Sequence, residues 1–383
     1  MGRVKANSGM KPNNPFFISG YQNPDYFCDR EQEAKIMLDA LYNGRNITLM
    51  APRRMGKTCL VRHVFYQLRT QQPEVITLYM DIYATQNLGD FVRLFANTVL
   101  GQLDTVPQKA LGRVMKFVKR CRPVFTMDEM TGRPKVTVEM APDEEAATLK
   151  EIFDYLQSAE RRCYIAIDEF QQITAYPEKG VEALLRSYIQ FVPNVNFIFS
   201  GSKQHVMQEM FLSAKKPFYQ STQMLTIGPI NREVYYGFAA GFFAKRRIDL
   251  PQAVFEAMYA RFDGHTWYMQ NLLNRLYSYG VSVDEKMVGY ALTEIVAEST
   301  YAYEHLLNAY SRSIGRLLKA IAMEGCVKAI QSGGFIGKYH LKAASSVNTM
   351  LRKMLDNELV YKTSDGYIVY DRFMGEWLRR QAF

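Results

Sequence analysis

Ile47-Thr48-Leu49-Met50-Ala51-Pro52-Arg53-Arg54-Met55-Gly56-Lys57-Thr58-Cys59-Leu60-Val61 is the stretch that decides the fold. Ile47–Met50 reads as a short buried strand, and helical spacing of apolar residues begins directly after Thr58. The loop between them fits G-x-x-x-x-G-K-[ST], with Ala51 where the first glycine is usual. The order of residue types has a chemical reason. Backbone N–H groups around Gly56, at the positive end of a helix, can surround phosphate oxygens. Gly56 lets the backbone approach with no side chain in the way. The Lys57 ammonium neutralises the outer phosphates of ATP, and the Thr58 hydroxyl ligates Mg²⁺. The strand–loop–helix context separates this reading from a chance Gly-Lys-Thr. Ala51 is tolerated provided that it keeps a negative φ.

Working outward, a second stretch supplies the acids. Arg161-Arg162-Cys163-Tyr164-Ile165-Ala166-Ile167 leads into Asp168-Glu169-Phe170, two carboxylates where a buried strand emerges. Beside a phosphate loop, Asp168 is expected to support Mg²⁺ and Glu169 to polarise the attacking water. The plainer alternative is a strand ending in a solvated acidic turn.

Nearly continuous apolar runs recur at Ile47–Met50, Val75–Ile82, Tyr164–Ile167, Asn196–Ser200 and Gln223–Ile227. Helical patterns fill the gaps at Thr58–Leu68, Leu88–Leu103, Glu144–Ser158 and Val181–Phe191. Strands alternating with helices predict an α/β sandwich around a parallel sheet buried on both faces. Pro123–Met127 and Lys135–Met140 flank a Thr131-Gly132 turn signal, which predicts a hairpin insertion at about 123–140. Past Pro229 the strand signals stop, and Arg232 to about Leu307 is helical and aromatic. The C-terminal stretch then reads as helix Ile314–Glu324, a break at Gly333-Gly334, helices Tyr339–Ala343 and Val347–Asn357, and a β pair Val360–Thr363 with Tyr367–Tyr370. That is the winged-helix order. The expected division is a loose tail at 1–15, a nucleotide domain at 16–230, a helical lid at 231–308 and a winged helix at 309–383.

Composition narrows the function. No run approaches the roughly 18 apolar residues that a membrane helix needs. The opening residues lack a cationic segment followed by an apolar one, so a cytoplasmic protein without a secretory leader is expected. The five cysteines have no metal-ligand spacing and read as idle thiols. The net charge of +9 is uneven, because the twelve basic and six acidic residues of 310–383 supply +6 of it. A polyanion would therefore meet the C-terminal end first.

With both motifs placed, the sequence resembles the archaeal-ATPase family, in the STAND and AAA+-like branch of P-loop NTPases, from about Pro15 to Arg380. The resemblance implies a nucleotide site built from Pro52, Arg53, Arg54, Met55, Gly56, Lys57, Thr58 and Cys59. Asp25-Tyr26-Phe27-Cys28-Asp29-Arg30-Glu31 is similar to the family's Phe-x-x-Arg-Glu signature, which implies that Phe27 and Arg30 lie near the adenine. Phe199-Ser200-Gly201-Ser202 is similar to the strand carrying a polar sensor, with Ser202 as its counterpart. Gly228-Pro229-Ile230 resembles the proline motif before the lid. Gly264-His265-Thr266-Trp267-Tyr268-Met269-Gln270 is similar to a Gly-His-Pro signature, with Thr266 in place of the proline. That implies a nucleotide-sensing His265, against the plainer reading of a helix-start residue bonded locally.

The cation for the developing γ-phosphate charge has four candidates: Arg53, Arg54, Arg186 and Lys203. Asn348, Arg352 and Lys353 on the expected recognition helix, with Lys362, Arg379 and Arg380, are candidates for contacting DNA. The alternative is a winged helix that packs on protein. The expected function is an ATPase acting as a nucleotide-dependent switch with a protein or DNA partner, a homo-oligomer being one expected form; the alternative is a DNA-engaging motor. An intact Glu169 argues for hydrolysis, whereas the lack of an assigned arginine finger argues for slow turnover. Adenine over guanine is not decided by any motif.

Overall fold

The computed structural model describes residues 12–103, 121–127, 134–140, 144–363 and 365–381. Ser19–Asn231 forms one compact unit, and Arg232–Phe383 forms the other together with the segment ending at Ile18.

The first unit is a five-stranded sheet made of β1 (Ile47–Met50), β2 (Ile76–Asp81), β5 (Cys163–Asp168), β6 (Val195–Gly201) and β7 (Gln223–Thr226), in the order β2-β5-β6-β1-β7. Every neighbouring pair is parallel. Strands β1, β5 and β6 are buried along their whole length, which explains why they read as unbroken apolar runs. Side chains alternate between two cores. Ile165, Ile167, Phe197 and Phe199 pack on one face with Phe91, Phe95 and Phe153. Tyr164, Ala166 and Ile198 pack on the other with Leu60, Val64 and Phe65 of the helix Lys57–Gln71. The expected insertion is an antiparallel pair, β3 (Cys121–Met127) and β4 (Pro134–Met140); the turn between them lies outside the described residues.

The second unit begins with helices Arg232–Lys245, Gln252–Arg261, Thr266–Tyr279 and Glu285–Asn308. The winged-helix order follows: helices Arg312–Glu324, Gly333–Lys338 and Ala344–Asp356, strands β8 (Val360–Lys362) and β9 (Tyr367–Val369), and a final helix Arg372–Arg380. One expectation fails here. The second helix starts at the glycines taken as a break, and Tyr339–Ala343 is not helical. The Ser332 side chain accepts from the Phe335 N–H, and this N-cap outweighs the low helix propensity of two glycines in the first turn.

The tail expected up to Pro15 also differs at its end. Asn14 donates from Nδ2 to the Asn274 carbonyl (2.9 Å), and Asn274 donates back to the Phe16 carbonyl (2.7 Å). Phe16, fully buried, sits among Phe242 (6.0 Å between centroids), Phe243 (5.5 Å) and Tyr277 (5.6 Å). Residues 12–18 therefore pack with the helices of the second unit, so Phe16 is not the start of the nucleotide domain. Residues 1–11 lie outside the described residues.

Candidate active site

The parallel register of β1, β6 and β5 brings the ends of three strands to one corner. β1 releases the phosphate loop, β5 ends at Asp168, and β6 ends at Gly201-Ser202. Gly56 has φ 93°, which a β-carbon would strain, and the helix starts at Lys57. Ala51 has no positive φ; among the loop residues before Gly56 the left-handed conformation falls on Arg54 instead, at φ 63°. An alanine thus replaces the first glycine without backbone cost.

Lys57 is buried, and its Nζ donates to the carbonyls of Ala51 (3.0 Å) and Pro52 (3.2 Å). Burial pushes its ammonium below the ordinary value, against the charges of Glu169 and Asp168 that favour it. Thr58 Oγ1 donates to Asp168 Oδ2 at 2.8 Å, and the Glu169 N–H donates to Asp168 Oδ1 at 3.0 Å. Glu169 turns out of the strand with φ 54°. Its Oε2 accepts from Ser202 Oγ and from Gln171 Nε2, both at 2.5 Å. A buried ammonium, a hydroxyl touching one carboxylate, and a second carboxylate held by neutral donors are a donor set suited to a polyphosphate with a hard cation. Such a cation takes one or two protein oxygens and completes its shell with phosphate and water. Thr58 and Asp168 would supply those two, and among the described residues no group of three or more acidic, His or Cys ligands exists.

The sequence matches an ATPase domain found predominantly in Archaea over residues 27–272, well over half the chain. The chain belongs to that ATPase family. Residues 301–380 match a winged helix domain. No curated protein matches by sequence. Among solved structures, the chain is similar to a Walker-type ATPase of Pyrococcus abyssi, with 16% identity, TM-score 0.65, and coverage of 95% of this chain and 99% of that one. It is also similar to the ORC2 protein of Aeropyrum pernix (ADPNP–ADP complexes), at 16% identity and TM-score 0.60 over 96% of both chains. The ORC1 protein of Aeropyrum pernix, solved with DNA, follows at 14% and 0.55 over 96% of both. At these identities the shared property is the fold: an α/β P-loop ATPase followed by helices and a winged helix.

Within this ATPase the remaining expected residues fare unevenly. Phe27 stacks on His63 of the phosphate-loop helix, with centroids 4.2 Å apart and planes 12° from parallel. Burial pushes the His63 imidazolium below its ordinary pKa, which favours the neutral ring as stacking partner. Cys59 lies half-buried against the Gly20 carbonyl (3.4 Å). Arg53 lies over the Tyr83 ring at 4.9 Å. Arg30 is engaged by protein groups. It is buried, pairs with Glu33 at 2.8 Å and donates to the Gly228 carbonyl, so its guanidinium fastens the start of one helix to the segment before Arg232. Its φ of 76° supports the same bent entry. His265 belongs to the second unit, where it precedes the helix Thr266–Tyr279 and packs on Tyr268 at 4.8 Å. Arg379 is likewise engaged, with Glu376 and the Ala322 carbonyl.

Tyr79 was missed. Its hydroxyl donates to Asp168 Oδ2 at 2.5 Å, and Arg62 lies over its ring at 4.0 Å. Burial, then the Asp168 charge, raises the phenol far above its ordinary value, so Tyr79 keeps its proton and remains a donor. Gln171, beside the acids, was also missed. No helix among the described residues is long and apolar enough to cross a membrane.

Proposed function

We propose that this chain is a Mg²⁺-dependent ATPase that works as a nucleotide-dependent switch. The observation that carries the reading is the Thr58–Asp168 hydrogen bond at 2.8 Å, with Lys57 and Glu169 in the same corner. Lys57 takes the β- and γ-phosphate oxygens, exchanging two carbonyl partners for an anion. Thr58 and Asp168 would hold Mg²⁺, which would neutralise developing phosphate charge when bound. Glu169 accepts a proton from water as its oxygen bonds to the γ-phosphorus and the bond to the β-phosphate oxygen breaks. Ser202 fixes the carboxylate. The products are ADP and phosphate. Phe27 and His63 line the approach to the base. The arginine finger remains unassigned among Arg53, Arg54, Arg186 and Lys203. A protein of this kind works in the cytoplasm, and its winged helix, proposed to span 309–383, passes nucleotide state to a macromolecular partner.

One observation favours DNA as that partner: Arg352 and Lys353 are exposed on the helix Ala344–Asp356 within the winged helix match. The ORC1 protein of similar fold was solved with DNA.

Phosphate release from Mg·ATP tests both readings, for wild type and Glu169→Gln, with and without duplex DNA. The expected result is a turnover lowered about 10²–10⁴-fold by Glu169→Gln with nucleotide binding kept. Equal turnover in the two proteins removes Glu169 from its role. Stimulation by DNA that is lost in Arg352→Ala/Lys353→Ala supports a DNA-coupled enzyme, and no stimulation leaves a protein-coupled switch.

A further inference from the structure

The turn after β5 places a primary amide where an apolar side chain would pack more cheaply. Phe170, fully buried against Phe199 (4.4 Å) and Phe218 (5.4 Å), anchors the turn Phe170–Ala175. Gln171, next in sequence, is itself only 5% exposed. Its Nε2 donates to Glu169 Oε2, while its Oε1 is buried with no partner. A carboxylate only accepts, so the amide cannot be turned the other way round. Burying an amide oxygen without a hydrogen bond opposes folding. The single contact that offsets this cost is the one to Glu169.

The far end of Gln171 has its own requirement. A β-carbon on Gly201 would lie 2.5 Å from Gln171 Oε1 and 2.6 Å from Met207 Cγ and Sδ. Gly201 has no positive φ, so the glycine is there for space and not for backbone freedom. Two donors, Gln171 Nε2 and Ser202 Oγ, share Oε2 of Glu169, while Oε1 of that half-buried side chain accepts no hydrogen bond from a described residue.

We infer that Gln171 is a positioning residue for hydrolysis, seated in the space left by Gly201, which together with Ser202 pins one oxygen of Glu169 so that the other faces the attacking water. The inference rests on the proposed ATPase reading. It is tested by steady-state kinetics on the full chain for Gln171→Ala, Gly201→Ala and the double variant. Gln171→Ala is expected to lower kcat about 10- to 100-fold, the worth of one charge-assisted hydrogen bond, with KM for Mg·ATP within about twofold. Gly201→Ala should displace Gln171 and lower kcat as well, while adding nothing to Gln171→Ala. Full kcat in Gln171→Ala, or losses that multiply in the double variant, overturns the inference. A wild type that binds Mg·ATP without turning it over defeats the ATPase reading instead. In that case thermal unfolding of Glu169→Ala, Gln171→Ala and their combination, without nucleotide, decides the positioning claim. Melting shifts that fail to add, by about 2 °C or more, support it, and additive shifts overturn it.

Discussion

Two buried carboxylates, Asp168 in the nucleotide unit and Glu376 in the C-terminal unit, are satisfied in opposite ways. Glu376 is held by cations: Arg261 donates a fork to both oxygens (2.7 and 2.6 Å), and Arg379 adds a third bond at 2.5 Å. Burial alone would push this carboxyl up, but the bonds and charges of Arg261 and Arg379 hold it below its ordinary value. Asp168 receives only neutral donors, the hydroxyls of Thr58 and Tyr79 and the Glu169 N–H. The Lys57 ammonium, which the Asp168 charge favours, makes its hydrogen bonds to carbonyls instead. A carboxylate closed by guanidinium groups is finished as structure. A carboxylate held by hydroxyls still has room for a cation, and that difference marks which of the two corners does chemistry.

The contrast breaks most visibly at Glu376. Glu376→Ala leaves Arg261 and Arg379 without their shared anion and is expected to cost about 3–5 kcal/mol, seen as a melting temperature lower by about 10 °C, with ATP affinity unchanged. A variant as stable as wild type would reduce the network to decoration. Lys57→Met is the opposite case. ATP binding should weaken about a hundredfold, yet the nucleotide-free melting temperature should not fall, because burial disfavours the ammonium. A large drop in melting temperature would mean that Lys57 is structural after all.

The pH dependence sharpens the same comparison with a smaller effect. Glu376 is depressed in the folded state, so its stabilisation is complete above the ordinary carboxyl value of 4.5 and is lost as pH falls through the lower folded value. The stability gap between wild type and Glu376→Gln should be full at neutral pH and close in acid; a gap that persists unchanged below that range contradicts the pairing. Smallest of all, Tyr79→Phe removes one donor from Asp168 and should lower kcat/KM about fivefold, the worth of roughly 1 kcal/mol. No change in kcat/KM would leave Asp168 positioned by Thr58 alone.

What was legible in the sequence was local. The phosphate loop, the Asp168-Glu169 strand end and Ser202 each sit where a buried strand runs out, and strand, loop and helix follow each other without a gap. The parallel sheet was legible for the same reason, through apolar runs with no polar alternation. Tyr79 was not legible, because its partner lies 89 positions away and is found only through the register of β2 on β5. Gly201 sat inside a quoted stretch and Gln171 just after one, yet a contact set by the packing of a side chain on a glycine leaves no spacing to read. The bond of Arg30 to the Gly228 carbonyl was not legible, because an arginine near a nucleotide motif looks the same in sequence whatever it meets. The Gly333-Gly334 break was misread because a serine cap can start a helix on residues that seldom continue one.

Phe16 carries a consequence for the order of assembly. The asparagine that holds its carbonyl lies 258 positions later in the chain. At 5–20 residues per second, that is roughly ten to fifty seconds of synthesis. The whole nucleotide unit, Ser19–Asn231, is made within that interval and can fold while the phenylalanine has nowhere to go. The first described segment to leave the ribosome therefore cannot complete its contacts until Asn274 and Tyr277 have been made.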